Sequence, residues 1–287
     1  MTETEILSRR EDFLRLVVEK LGNSQSDFCA TMDFIKEPGQ PGESWQAAGV
    51  LLPLFFKERN GGGVRGEFVF KLMKRSSAVV QGGDISCPGG MLHRYADPLI
   101  RPLIAAGIPP IMRGEALSLA KGRGEAAFKS ITLFLANALR ESWEELRLSP
   151  FNVQFLGPLP CQPLITFARI IFPLVGFVKK EWRPRTNLEV EKILDLPLRD
   201  FFDESRYAMY VIETEYKLRD NMSGIRYFPC FIAGDNKGNE DILWGATFSI
   251  VLSFLKTVFD FELPNLKGKR IIKKVLEPEY LTGNQKR

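Results

Sequence analysis

Histidine is almost missing: the 287 residues hold one, His93. A Ser-His or Cys-His triad therefore has little to draw on. The four cysteines, Cys29, Cys87, Cys161 and Cys230, lie far apart and form no C-x-x-C pair. That argues against a zinc site, and against a disulfide framework in a chain of this length. Long apolar runs are missing too. The longest, 164–178 and 242–255, are too short for a bilayer, and the first is interrupted by Arg169 and Pro173. No membrane partner is expected. No basic block stands out and the net charge is a mild +4, so nucleic acid is not an expected partner. The opening MTETEILSRREDF is charged and has no apolar core. A secretory signal is therefore not expected, and the cytoplasm is the expected location.

What remains is ordinary globular material, 45% hydrophobic and 26% charged. Residues 5–21 repeat Phe13, Leu14, Val17, Val18 and Leu21 at helical spacing. The Pro- and Gly-rich stretch 37–44 is a connector. AAGVLLPLFF (47–56) predicts a buried strand, KERNGGGVRGE a hairpin loop, and FVFKLMKRS (68–76) the partner strand. A glycine-dense loop, VVQGGDISCPGGM, follows. Prolines mark the start of 98–137, helix formers take over after Gly114, and a helix is expected over 125–147. NVQFLGPLP and ITFARIIFPLVGFV read as strands, while LEVEKILDLPLRDFF (188–202) starts helix-like and breaks at Pro197. RYFPCFIAG predicts a strand, and 242–261 leads into a closing helix. The sum is an α/β (α+β) chain with a mixed sheet between helices. A helical extension over 1–45, a main domain over 46–265 and a tail over 266–287 are expected.

Within ALRESWEEL (138–146), Glu141, Glu144 and Glu145 stand at i, i+3 and i+4, inside one arc of a helix turning about 100° per residue. Leu135, Ala138, Leu139, Trp143 and Leu146 fall on the other side as a core-facing stripe. Like charges at these spacings repel by roughly 0.2–0.5 kcal/mol per pair. The plain reading is a solvated acidic face. The sharper one is a site for a hard divalent cation, which takes clustered carboxylate oxygens.

GGDISCPGGM followed by ALRESWEELRL resembles the Nudix hydrolases, whose signature is a glycine-rich loop feeding a helix with R-E-x-x-E-E. FKLMKRSS, NVQFLGPLP, FPLVGFV, TNLEVEKILDLPL and ILWGAT resemble, in order, landmarks of the coenzyme A-directed branch. The likeness covers about 46–256. It implies a Nudix fold and a metal-dependent attack of water on a diphosphate, with no covalent enzyme intermediate. It implies Mg²⁺ or Mn²⁺ on Glu141, Glu144 and Glu145, with Arg140 orienting a neighbouring carboxylate. Gly89 and Gly90 match the loop glycines that bring backbone close to metal or phosphate. Lys74 and Arg75 are the substrate-binding candidates, and Glu189 is the candidate base or support for the metal's ligands. The expected partner is a small-molecule diphosphate, coenzyme A-like substrates being favoured, with a homodimer left open. The alternative is a degenerate Nudix domain that binds a nucleotide metabolite without cleaving it.

The pattern departs in places. Gly90 and Arg140 stand fifty residues apart, where the family uses about a dozen, so an insertion over about 98–132 splits the box. Connections of that length tend to be lids or binding loops, and this one is expected to govern substrate choice. Asp97 falls one position late for an earlier acidic residue of the family and receives no ligand role. Arg147 replaces the glycine that usually supplies a left-handed helix end. SSAVVQGG is about one residue short and lacks an arginine of the coenzyme A motif, and Cys87 stands where that motif has Phe. Cys87 is not the expected nucleophile.

Overall fold

In the computed structural model the described residues are 3–25, 27–36, 45–58, 66–214, 224–234, 240–275 and 280. The connector over 37–44 and the tip of the hairpin, 59–65, lie outside them. The chain opens with α1 (Glu3–Leu7), α2 (Arg10–Asn23) and α3 (Phe28–Lys36), followed by the strands β1 (Gln46–Glu58) and β2 (Gly66–Arg75). Two short strands, β3 (Ile85–Ser86) and β4 (Gly89–Met91), line the glycine loop. Three helices follow: α4 (Ala96–Ala105), α5 (Gly114–Gly122) and α6 (Glu125–Leu146). Then come β5 (Val153–Pro158), β6 (Gln162–Leu164), β7 (Arg169–Val178), β8 (Val190–Pro197), β9 (Tyr207–Thr214), β10 (Gly224–Gly234) and β11 (Glu240–Trp244). Helix α7 (Gly245–Phe259) and strand β12 (Ile271–Val275) close the fold.

The continuous apolar run in β1 places it at the centre of the larger sheet, buried along nearly its whole length. It pairs parallel with β7 and antiparallel with β2 and β4, so this sheet is mixed, as expected. Helix α6 lies against one face. Gly49 makes room for it, because a Cβ there would stand 2.5 Å from Asn137 Oδ1 and 2.9 Å from the Phe134 carbonyl. The buried Asn137 then bridges the sheet, accepting from Gly49 N–H at 2.6 Å and donating to the Met91 carbonyl at 3.0 Å. Phe134 stacks on Phe172 of β7 with ring centroids 3.7 Å apart. Val50, Ile171 and Ile250 of α7 meet on the opposite face. The sheet is held between α6 and α7.

Two expectations change, for residues 188–202 and for Trp143. Residues 190–197 form a strand, not a helix: β8 runs antiparallel to β2, with Asp195 paired to Lys71 at 2.8 Å. The open edge of β2 decides this, since strand formation follows packing more than local preference. A second sheet, β11-β10-β9-β12, was not legible. Its strand β12 and Tyr280 draw part of 266–287 into the fold, Tyr280 accepting from Gln81 N–H at 2.8 Å. Within the extension, Phe13, Val17 and Leu21 of α2 are fully buried in the main core. Trp143 is 44% exposed instead of core-facing, its ring covered by the Arg147 guanidinium at 5.3 Å. Among the described residues, no helix is long and apolar enough to cross a membrane.

The insertion is two helices and the start of a third. His93 Nδ1 accepts from the N–H groups of Tyr95 and Ala96, and Asp97 accepts from His93 N–H at 2.7 Å. This reciprocal arrangement starts α4 as a capping box would. Arg123 donates to the Leu21 and Gly22 carbonyls at 2.7 and 2.8 Å, tying the entry to α6 onto the end of α2. Arg147 at the end of α6 is left-handed, with φ 55°. Arginine thus takes the conformation that glycine usually supplies, and Leu148 N–H still reaches the Ser142 carbonyl.

Candidate active site

Three elements meet at the last two turns of α6: the β4 glycines, the first turn of α4, and the segment preceding β8. Arg140 sits at the hub. Its Nε donates to Asp97 Oδ1 at 2.8 Å, one terminal nitrogen contacts Glu141 at 2.8 Å, and the other contacts Glu144 at 3.1 Å. Burial works against the Arg140 charge, but the Asp97 hydrogen bond and the Glu141 and Asp97 charges outweigh it and hold the guanidinium firmly protonated. Asp97 is fully buried, so it is the anchor of the hub. Sequence reasoning passed over it because it stands one position late and forty-three residues from its partner.

Glu145 turns the other way. It is 3% exposed, and its Oε2 accepts from Gly89 N–H at 2.9 Å. Burial pushes its carboxyl up to about 8, against the pull of that N–H, and the Glu141 and Glu189 charges push the same way. Glu141 is raised too, chiefly by burial and in spite of Arg140. Gly90 is a positional requirement: a Cβ there would lie 2.6–2.8 Å from the Glu141 carboxylate. Both loop glycines are thereby brought to the glutamates.

The other candidates divide. Glu189 is exposed, in the turn before β8, and its charge reaches Glu145. Asn187 N–H holds the Glu145 carbonyl at 3.3 Å, which keeps that turn against α6. Arg75 lines a cavity that also borders Gly89 and Gly90, and its charge acts on Glu145. Lys74 does not join it. Its ammonium pairs with Glu191 and Asp241, both at 3.2 Å, linking β2 to β11 of the second sheet. No residue of 98–132 lines the cavity among the described residues. The insertion packs beside α6 instead, so a role in substrate choice would have to act from outside this cavity.

The donor chemistry fits a hard divalent cation. Three carboxylates stand within one turn, all-oxygen ligands, and one of them, Glu145, is buried with one oxygen accepting from a backbone N–H. As they stand, no three His, Cys, Asp or Glu side chains converge on one point among the described residues. Arg140 occupies Glu141 and Glu144, so an ion would compete with it for their oxygens. Cys87 is buried below the loop, and burial and the Glu145 charge both push its thiol up. A thiolate there is not available for attack.

Over 130 residues the chain is 30% identical to a protein of Pectobacterium atrosepticum (strain SCRI 1043). That relative is named an uncharacterized Nudix hydrolase, NudL. The likeness spans 45% of this chain and 60% of the relative, so the chain covers less than two thirds of that protein's length. No family model matches. Among solved structures, an Ap4A hydrolase of C. elegans aligns with a TM-score of 0.34 at 11% identity, over 54% of this chain and 83% of that one. The NUDIX domain of Shewanella oneidensis NrtR, solved with ADP ribose, aligns with a TM-score of 0.33 at 11% identity, over 60% and 86%. Structural likeness this slight does not bear on chemistry. The similarity in sequence does agree with the resemblance that the R-E-x-x-E-E helix carries.

Proposed function

We propose that this chain is a Nudix-type pyrophosphohydrolase that uses Mg²⁺ or Mn²⁺ to cleave the diphosphate linkage of a nucleoside-diphosphate derivative. The observation that carries this reading is Glu145, a buried carboxylate aimed at Gly89 N–H and neighbouring Glu141 and Glu144 on the same turn. A divalent cation held there would supply positive charge to offset that on the phosphoryl oxygens and to make the attacking water more acidic. The residues supply the rest. Glu141, Glu144 and Glu145 would hold the ion. Arg140, fixed by Asp97, keeps Glu141 and Glu144 on one side of the helix. Gly89 and Gly90 leave room for a phosphoryl oxygen to approach the backbone. Glu189, whose charge reaches Glu145, would take a proton or support the ligands. The Lys-Arg-Ser end of β2 and the P-G-G loop favour a coenzyme A-like substrate, with Arg75 making the phosphate contact because Lys74 is held by Glu191 and Asp241.

A screen of diphosphate compounds with Mg²⁺ or Mn²⁺, detecting phosphorylated products, tests this. At least one should be cleaved, and chelation should stop it. Tight nucleotide binding with no cleavage at any metal concentration would overturn the hydrolase and leave a binding module. Since water is the nucleophile in this reading, Cys87→Ser should retain most activity. Complete loss in that variant, with Mn²⁺ binding preserved, would point to a covalent route.

A further inference from the structure

On the face of the central sheet turned away from α6 lies a cavity of about 250 Å³. Val50, Ile171 and Ile250 give it an apolar floor, while Phe228 and Trp244 add aromatic rings with centroids 5.6 Å apart. Gly89 and Gly90 form the wall toward the glutamates. The charges in this space are unequal. Arg75 and Arg169 both line it, and the one acid among the described lining residues is Asp84. That acid is already engaged by Trp244 Nε1 at 3.1 Å, Lys274 Nζ at 3.4 Å and the Tyr280 hydroxyl.

Arg169 is the residue this arrangement does not explain. It opens β7 beside the edge of β1, and its Nε is shut off from solvent with no hydrogen-bond partner among the described residues. Burial, and next the charge of Arg75, both work against its protonation. A structural arginine in such a place is expected to have an acceptor somewhere on its guanidinium, as Arg123 has in the Leu21 and Gly22 carbonyls, and the Arg169 guanidinium has none among the described residues. An orphaned, desolvated guanidinium donor beside a second guanidinium instead fits an acceptor that arrives with a ligand.

We propose that Arg169, with Arg75 beside it, is a specificity-determining pair. It would bind an anionic group on the part of the substrate that is not cleaved, such as a phosphate carried by a nucleoside beyond its diphosphate. This rests on the hydrolase reading for the word substrate, but not for the binding itself. The cavity is smaller than the roughly 300–1,000 Å³ of a site for a whole drug-sized ligand, so it suits one moiety, with the diphosphate lying over Gly89 and Gly90. Its apolar and aromatic walls would take the ring, and the guanidiniums the charge.

The test compares adenosine 3′,5′-bisphosphate with adenosine 5′-monophosphate, by calorimetry in chelator, so that neither metal nor cleavage enters. The parent should prefer the bisphosphate by at least about tenfold, the scale of a charge-assisted hydrogen bond set. Arg169→Gln should lose that preference while keeping its affinity for the monophosphate, and Arg169→Lys should keep part of it. Unchanged melting and Mn²⁺ binding in the variants would confirm that only the cavity was altered. If Arg169→Gln fails to fold, the lysine variant decides, because a point charge cannot replace the planar fork in full. A parent with no preference, or variants that keep the parent's preference, overturn the assignment. Preference without cleavage of any diphosphate would preserve it and remove the hydrolase. Cleavage without preference would do the reverse.

Discussion

Glu145→Gln should reduce metal-dependent turnover by at least about 100-fold, since even the residues supporting a metal's ligands are typically worth 10–100-fold. In chelator the same variant should melt at a higher temperature than the parent. The sign follows from the carboxyl's environment. Burial pushes it up to about 8 in the folded protein, whereas an unfolded glutamate titrates near 4.3. Between those values the folded state holds the extra proton, so the metal-free parent loses stability as pH rises through this window. Glutamine has no such penalty. The advantage of the variant should therefore be small near pH 4, grow with pH, and level off above about 8. Saturating Mn²⁺ should reverse the order, because only the parent gains from an ion that binds the folded state. A variant that turned over like the parent at saturating Mn²⁺ would remove Glu145 from the site.

Arg140→Met should be the most destabilising single change at the centre. It strands Asp97, which is fully buried and would keep only the His93 N–H. Breaking one side of a buried pair costs about 3–5 kcal/mol. At about 2–4 °C per kcal/mol for a domain of 150–250 residues, this lowers the melting temperature by roughly 10 °C. Asp97→Asn should cost less, because Arg140 retains Glu141 and Glu144. In the double variant Asp97→Asn/Arg140→Met the stranded charge is gone, so part of the loss should return, as a negative departure from additivity. Strictly additive losses in thermal melts would show that the two side chains do not depend on each other.

The sequence pattern was enough to find the glutamate helix, because its period and composition are local. β1, β2 and β7 were legible for the same reason: each is a long apolar run bounded by turn residues. What escaped was set by contacts between distant segments. Periodicity placed all three glutamates on one arc, yet Glu144 is 52% exposed by its side chain while Glu145 is buried. The difference comes from β4 and the turn before β8, which cover one edge of that arc. Asp97 could be recognised only with Arg140 beside it. Residues 188–202 carry enough helix-forming residues to mislead, and the free edge of β2 makes 190–197 of them a strand. Arg169 was visible as a lone cation in an apolar run, but its place in a cavity depends on β7 lying parallel to β1.

Mn²⁺ titration followed by electron paramagnetic resonance is the most direct test that Glu141, Glu144 and Glu145 form a divalent-cation site. It needs no knowledge of the substrate. The parent should bind Mn²⁺ saturably, with Mg²⁺ competing. Glu141→Gln/Glu144→Gln/Glu145→Gln, which removes three acidic charges from one helix turn, should lose that binding while still folding. Indistinguishable Mn²⁺ binding curves for the parent and the triple variant would contradict the account, because the metal would then lie elsewhere and the acidic arc of α6 would be ordinary surface.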